Sequence, residues 1–245
     1  MSHTILVTGG AGGICSEICR GLAADGLNVV VADFAKEGAD KVAEEINAKR
    51  GNGNAIAVQV DVGDPKSVAA MMERAIAQYG QVDYVFCGAG IMDRVPVVEM
   101  PEEMWDRLMR INLKGVFLCA QAAARHMIPR NQGRILSIAS GRGVAGQARS
   151  AHYAASKAGV IAFTKSLAME LAPHNVTANC VCPGATDTAM SRIGFTPDQF
   201  KKREEIPPLM DGLTHKFEIV GLVRYLLSDA AKYISGQIYF LRTPK

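Results

Sequence analysis

The chain has 245 residues, 49% of them hydrophobic, and a formal net charge of +3 at pH 7. This composition provides enough apolar material for a large buried core, and the near balance of charge argues against a nucleic-acid-binding protein, which usually carries a basic stripe. We identify no signal peptide and no apolar run long enough to span a bilayer. We therefore expect a cytoplasmic protein with neither nucleic-acid nor membrane partners.

Apolar runs rich in valine and isoleucine alternate along the chain with longer segments of helical spacing, such as Pro65–Gln78 and Tyr153–Leu171. The predicted strands are, in chain order, 4–8, 27–32, 55–60, 82–87, 134–138, 176–181 and 236–240. Strands that alternate with helices predict a parallel sheet, and continuous apolar strands indicate helices on both faces. We therefore predict the α/β class, with a single domain over residues 1–245 and a doubly wound, seven-stranded parallel sheet.

The first predicted strand is followed by a glycine-rich turn, 9–13, and then by a helix. Glycine lets the backbone turn sharply and approach a pyrophosphate, and a helix N-terminus offers N–H donors and a favourable dipole. A glycine cluster alone is a weak signal, but its place between a strand and a helix indicates a dinucleotide site.

The second predicted strand leads directly into Asp33, an acidic residue that follows the glycine turn at the spacing typical of a ribose ligand. Its carboxylate would accept hydrogen bonds from the adenosine ribose and repel a 2′-phosphate. Lys36 is the only nearby feature that favours NADP. We therefore predict NAD as the cofactor, with Asp33 and Phe34 among the residues that bind it.

These motifs, with others further along, resemble the short-chain dehydrogenase/reductase family nearly from end to end. The turn is similar to the family's Thr-Gly-x-x-x-Gly-Ile-Gly, with Cys15 in place of the last glycine, and Cys87-Gly88-Ala89-Gly90 stands where the family has Asn-Asn-Ala-Gly. The resemblance implies a Rossmann fold that binds a nicotinamide dinucleotide. The cofactor contacts that it implies are spread along the chain: Gly9, Gly12, Gly13, Ile14, Asp61, Val62, Ala89, Gly90, Tyr153, Lys157, Pro183, Gly184, Thr186 and Thr188.

The resemblance also assigns four catalytic residues, Asn112, Ser140, Tyr153 and Lys157. Tyr153 and Lys157 are four residues apart and therefore share one face of a helix. A lysine ammonium about 4 Å from a phenol favours the phenolate by about 4 kcal/mol at an effective dielectric near 20, so we expect a lowered pKa for Tyr153. Ser140 is expected to hydrogen-bond to the substrate oxygen, and the resemblance implies that Asn112 holds a water linked to Lys157.

The leading functional hypothesis is an NAD-dependent dehydrogenase or ketoreductase whose substrate is a small secondary alcohol or ketone. A 3-oxoacyl thioester reductase is a close alternative that the chain also resembles, although such enzymes usually prefer NADPH and Asp33 argues against that cofactor. A regulatory protein that binds NAD without catalysis is a more distant alternative. Such a protein would not need Tyr153 or Lys157, yet both residues are present.

Two features bear on the substrate. The segment 188–214 contains three prolines and mixed charges, and we predict a substrate-binding loop or lid over the carboxyl edge of the sheet. Arg94, Arg142 and Arg149 lie in or near the expected pocket walls, where guanidinium groups could bind an anionic substrate through paired hydrogen bonds. The alternative is that these arginines point to solvent or form surface ion pairs.

The cysteines and the helix faces complete the prediction. The six cysteines are scattered among apolar neighbours and are expected to be buried thiols, and Cys180-x-Cys182 lacks zinc-site spacing, so we expect no metal.

In the family, the helices equivalent to 101–128 and 153–172 pair across a two-fold axis. Here both segments carry apolar faces, which predicts a homo-oligomer, either a tetramer or a dimer.

Overall fold

The computed structural model describes residues 2–51, 53–193, 196–206 and 213–241. Seven parallel strands form one sheet in the order β3-β2-β1-β4-β5-β6-β7. They are β1 (Thr4–Thr8), β2 (Asn28–Asp33), β3 (Ala55–Gln59), β4 (Tyr84–Cys87), β5 (Gly133–Ile138), β6 (Val176–Cys182) and β7 (Ile238–Phe240). The predicted seven-stranded parallel sheet is confirmed, and the ends of the predicted strands differ from the observed ones by a residue or two at most.

Helices cover both faces of this sheet, as predicted. They are α1 (Gly13–Ala24), α2 (Lys36–Arg50), α3 (Pro65–Tyr79), α4 (Glu102–Met109), α5 (Gly115–Met127), α6 (Arg142–Ala145), α7 (Ala151–Leu171), α8 (Ala189–Arg192), α9 (Pro197–Glu204) and α10 (Lys216–Leu227). Within the described residues, none of these helices is both long and apolar enough to cross a membrane.

The core consists of two apolar clusters, one on each face of the sheet. Leu6 packs into the cluster formed with α3, α5 and α7, whereas its neighbours Ile5 and Val7 pack into the cluster formed with α1, α2 and α10. Successive side chains of a strand point to opposite faces, so a strand with helices on both sides must be apolar at every position. This is why the strands appear in the sequence as continuous apolar runs.

Local signals in the sequence explain where elements begin and end. Asp64 caps α3, since its carboxylate accepts hydrogen bonds from the backbone N–H groups of Lys66 at 3.2 Å and Ser67 at 3.1 Å. Pro65 follows in the first turn of the helix, where its missing N–H costs no hydrogen bond. Gly80 ends the helix with a φ of +79°, a conformation that favours glycine.

Two features of the topology position the functional site. The strand order reverses between β1 and β4, and parallel sheets bind ligands in the crevice that opens at the carboxyl ends of such strands. Between α4 and α5 the chain forms a π-helical turn, Arg110–Lys114, which the sequence pattern did not predict. Such turns occur frequently at functional sites, and this one contains Asn112.

Candidate active site

A cavity of about 930 Å³ lies at the carboxyl ends of the strands, a size within the usual range for a ligand site. Segments that follow β1 through β6 line it, together with residues of α7. Every residue predicted to bind the cofactor lines this cavity, as do Ser140, Arg94 and Arg142. The fold thus brings together residues that are far apart along the chain.

The glycine turn after β1 borders the cavity and packs closely against neighbouring segments. Gly9 has a φ of +71°, and a Cβ there would lie 2.9 Å from the backbone of Ala89. A Cβ at Gly13 would lie 2.8 Å from the methyl carbon of Thr188, so the turn packs closely against the segment after β6. Gly12, the N-cap residue of α1, has no side chain that could cap the first turn of the helix. These observations fit a pyrophosphate bound at the helix N-terminus.

Asp33 is held at the end of β2 beside the glycine turn. One carboxylate oxygen accepts the N–H of Ala11 at 3.0 Å, and the other accepts the N–H of Ala35 at 2.9 Å. The Lys36 ammonium bonds to both carboxylate oxygens of Asp40, at 2.6 and 2.7 Å. The lysine that favoured NADP in the sequence is therefore paired with another carboxylate.

Asp61 and Val62 lie after β3, where they line the cavity next to the π-helical turn. The Asp61 carboxylate accepts hydrogen bonds from Arg110 at 2.9 Å and from the N–H of Gly63 at 2.9 Å. Burial raises the pKa of this carboxyl, but the bonds from Arg110 and Gly63 outweigh it and hold the pKa below the ordinary value. Sequence reasoning missed Arg110, because its partner is distant in the chain and no local pattern links the two.

Asn112 is fully buried in the π-helical turn. Its amide oxygen accepts the N–H of Ile91 at 2.8 Å, and its amide nitrogen donates to the carbonyl of Ile91 at 2.9 Å. A Cβ at Gly90 would lie 3.3 Å from the Asn112 oxygen and 3.7 Å from the Lys157 ammonium nitrogen, which places both side chains close to Gly90. Asn112 therefore braces the loop after β4, and the water relay to Lys157 stays a prediction.

Tyr153 and Lys157 share one face of α7, but their electrostatics differ from the expectation. The Lys157 nitrogen lies 5.7 Å from the centre of the Tyr153 ring and donates to the carbonyl of Ile138 at 3.0 Å. Burial raises the pKa of Tyr153, whereas hydrogen bonding to Ser140 and the charge of Arg142 lower it. The expectation of a pKa lowered by Lys157 is wrong for this structure, because burial favours the neutral phenol.

Burial also acts on Lys157, which is only 3% exposed. It lowers the pKa of the ammonium to about 8, because a charged group is disfavoured away from water. Lys157 is therefore mostly protonated at neutral pH and begins to lose its proton in mildly alkaline solution.

The six cysteines are all buried, as predicted. Two of them, Cys15 and Cys182, also line the cavity, which the sequence reasoning did not anticipate. Hydrogen bonding from the Cys180 thiol lowers the pKa of Cys182, and the nearby Lys157 charge acts in the same direction.

The three arginines proposed for the substrate do not lie together. Arg94 and Arg142 line the cavity, whereas the exposed Arg149 is not among the described residues that line it. Arg149 has a φ of +64°, and its backbone carbonyl accepts the N–H of Val95 at 2.7 Å. Its contribution is therefore a backbone bond that joins two loops.

Part of the predicted lid also borders the cavity. Ala189, Met190 and Ser191 of α8 line it, and Thr188 caps that helix by accepting the N–H of Ser191 at 3.1 Å. The remainder of the predicted segment includes 194–195 and 207–212, which lie outside the described residues.

A parallel sheet with a glycine-rich turn and a serine, tyrosine and lysine in one cavity is typical of a nicotinamide-dependent oxidoreductase. The chain belongs to the short-chain dehydrogenase/reductase family, since the family's sequence profile, described as short chain dehydrogenase, matches residues 3–196.

Three relatives illustrate the range of this similarity. A 3-oxoacyl-[acyl-carrier-protein] reductase FabG of Staphylococcus aureus is 39% identical over 241 residues, which are 97% of this chain and 95% of the relative. A cis-4-hydroxycyclohexanecarboxylate dehydrogenase of Sinomonas cyclohexanicum is 37% identical over 234 residues, 95% of this chain and 92% of the relative. The crystal structure of a 3-ketoacyl-(acyl-carrier-protein) reductase from Brucella melitensis complexed with NADH has a TM-score of 0.89 at 28% identity, covering 98% of this chain and 96% of that one.

These comparisons show an oxidoreductase of the short-chain family. They support the thioester-reductase alternative better than the leading hypothesis of an alcohol dehydrogenase.

Proposed function

We propose that this protein transfers a hydride between NAD(H) and a secondary alcohol or ketone, with Tyr153 as the acid and base. The observation that carries the proposal is that Ser140, Tyr153 and Lys157 line the same cavity as Asp33. Acid–base residues at one part of the cavity and a ribose acceptor at another are what an NAD-dependent dehydrogenase needs.

The residues of the chain have separate tasks in this proposal. Nicotinamide, when bound, supplies or accepts the hydride. Ser140 hydrogen-bonds to the substrate oxygen and stabilises the charge that develops on it. Tyr153 donates the proton to that oxygen in reduction and removes it in oxidation. Lys157, held by the carbonyl of Ile138, keeps a positive charge 5.7 Å from the centre of the Tyr153 ring.

The choice of NAD over NADP rests on Asp33. Its carboxylate is fixed by two backbone N–H groups, and oxygen lone pairs remain available to the ribose hydroxyls. A 2′-phosphate at the same place would meet a negative charge at close range.

A second candidate is the reduction of a 3-oxoacyl thioester, which the 39% identical relative favours. A preference for NAD at Asp33 is compatible with this reaction, since a structural neighbour of that description was crystallised with NADH. This candidate uses the same residues in the same chemical roles and differs only in the group attached to the ketone.

One assay tests both candidates. Purified protein would be given NADH or NADPH with acetoacetyl-CoA, cyclohexanone and 4-oxocyclohexanecarboxylate, and the loss of the reduced nicotinamide absorbance would be followed. We expect turnover with NADH and a lower kcat/KM with NADPH. A strong preference for acetoacetyl-CoA over both free ketones would select the thioester reductase, and no turnover with any ketone would contradict the proposed function.

A further inference from the structure

The described lining of the cavity contains more basic than acidic residues. The acidic residues among the described lining are Asp33 and Asp61, and both already accept hydrogen bonds from the protein. The basic residues of the same lining are Arg94, Arg107, Arg110, Arg142 and Lys157. The described wall of the cavity therefore carries more positive than negative charge.

Most of the neighbouring arginines have a carboxylate partner. Arg107 bonds to Asp93 at 2.8 Å, and Arg110 bonds to Asp61 at 2.9 Å. Arg142 differs from them, because within the described part of the chain its guanidinium has no hydrogen-bond or ion-pair partner. The side chain is only partly exposed, so solvation by water is incomplete. The hydrogen-bond donors of this guanidinium are therefore available to an anionic ligand, which pairs with arginine more strongly than water does.

Arg142 is also held firmly beside the catalytic residues. Its backbone N–H donates to the hydroxyl oxygen of Ser140 at 3.2 Å. The next residue, Gly143, packs so closely on α7 that a Cβ there would lie 2.7 Å from the backbone nitrogen of Ala158. The guanidinium charge lowers the pKa of Tyr153, which places it within electrostatic range of the phenol.

Apolar side chains complete this part of the lining. Ile91, Met92, Ala145 and Met190 all border the cavity. Their side chains would contact the hydrocarbon part of a substrate and could not form hydrogen bonds with polar groups. The combination of an unpaired guanidinium and apolar walls suits a molecule that is apolar except for its reacting oxygen and one acidic group.

We propose that the substrate is a hydroxy acid or oxo acid whose carboxylate binds the Arg142 guanidinium, with Arg94 as a second positive charge in the same cavity. This inference rests on the proposed function and names the substrate class of that site. The carboxylate would pair with Arg142 through two parallel hydrogen bonds, and the reacting oxygen would meet Ser140 and Tyr153.

The experiment compares each oxo acid with its neutral methyl ester. The probes are 4-oxocyclohexanecarboxylate and acetoacetate, each assayed with NADH beside its ester. We expect the better acid to exceed its ester in kcat/KM by at least about 10-fold, and Arg142→Gln to remove about 10- to 100-fold from the acid, mainly through KM, as is typical of a lost charged hydrogen bond. Because Arg142 also lowers the pKa of Tyr153, both probes will lose some turnover, so the readout is the acid-to-ester ratio.

Two further variants test whether the effect is specific to the position and the hydrogen-bond geometry of Arg142. Arg149→Gln removes the same charge from the segment between β5 and α7 but outside the described lining, and it should leave the acid-to-ester ratio unchanged. Arg142→Lys keeps the charge without the fork of paired donors and should retain part of the preference. Equal turnover of acid and ester, or a ratio that Arg142→Gln does not change, would overturn this inference and leave the proposed function standing. Failure of all ketones with both cofactors would overturn the proposed function and the inference with it.

Discussion

The sulfur of Cys15 fills most of the space that a side chain at Gly88 would need, since a Cβ built on Gly88 would overlap it and would also lie 2.8 Å from the backbone oxygen of Thr8. Cys15 stands where the family motif has glycine, and Gly88 stands where the motif has asparagine. The two departures from the motif are therefore complementary, with bulk added on α1 and removed after β4. Both residues line the cavity, so their fit determines the shape of its wall.

This relationship predicts the result of restoring one position without the other. Gly88→Asn should overlap the Cys15 sulfur, weaken NADH binding and destabilise the fold by about 1–3 kcal/mol, as overpacking usually does. Cys15→Gly combined with Gly88→Asn should recover part of both losses. NADH fluorescence titration and thermal unfolding would measure the effects. A double variant no better than Gly88→Asn would show that the close approach to the Thr8 backbone, rather than the Cys15 sulfur, excludes a side chain at position 88.

Tyr153→Phe should reduce turnover by about 10²- to 10⁴-fold, the usual contribution of a general acid or base. NADH binding should change little, because the substitution removes one hydroxyl and almost no volume. Tyr79→Phe is the matched control, since Tyr79 lies outside the described lining of the cavity. Substantial activity in Tyr153→Phe would assign the proton transfer to another group.

Ser140→Ala should shift the pH dependence of alcohol oxidation to higher pH. Burial raises the pKa of Tyr153 and hydrogen bonding to Ser140 lowers it, so loss of Ser140 leaves the phenol with a higher pKa. Oxidation needs the phenolate as base, and its rate will therefore rise at a higher pH than in the parent protein. The kcat/KM for oxidation, measured from neutral to strongly alkaline pH, checks this. An unchanged profile would mean that Ser140 does not act on Tyr153.

Asp33→Asn should narrow the preference for NADH over NADPH. The substitution removes the charge that repels a 2′-phosphate and keeps one oxygen that can accept a backbone N–H. Loss of a charged hydrogen bond of about 1.5–3 kcal/mol corresponds to a change of roughly 10- to 150-fold in the kcat/KM ratio of the two cofactors. The neighbouring exposed acid offers a control, Glu37→Gln, which should leave the ratio unchanged. A ratio insensitive to Asp33→Asn would place cofactor selection elsewhere.

The predicted homo-oligomer can be tested on the faces of α5 and α7. Phe117 is 39% exposed and meets Phe163 edge to face, with ring centres 6.1 Å apart, and Met169 of the same helix as Phe163 is 72% exposed. An apolar surface of this kind is typical of an interface. Sedimentation should show an assembly larger than a monomer. Phe117→Glu should weaken this assembly, whereas Val98→Glu, at an exposed site on another segment, should leave it unchanged. A monomer at micromolar concentration in the parent protein would contradict the prediction.

Much of this protein could be predicted from the sequence because the relevant signals are local. Valine-rich strands between helices of regular spacing were sufficient for the parallel sheet. The place of the glycine turn between β1 and α1 was sufficient to predict that it borders the cavity at the carboxyl ends of the strands, and the spacing of Tyr153 and Lys157 was sufficient to put them on one helix face. Each inference depends on residues within a few positions of one another, where backbone geometry alone relates them.

The remaining features depend on contacts between distant segments, which no local pattern encodes. The π-helical turn around Asn112, the pairing of Arg110 with Asp61 and the fit of Cys15 against Gly88 exist only once the helices pack on the sheet. The direction in which the Tyr153 pKa shifts also depends on contacts between distant segments. Spacing alone predicted that the lysine would lower it, but the cost of burying a charged phenolate depends on how much water the folded chain excludes, and that is decided by tertiary structure.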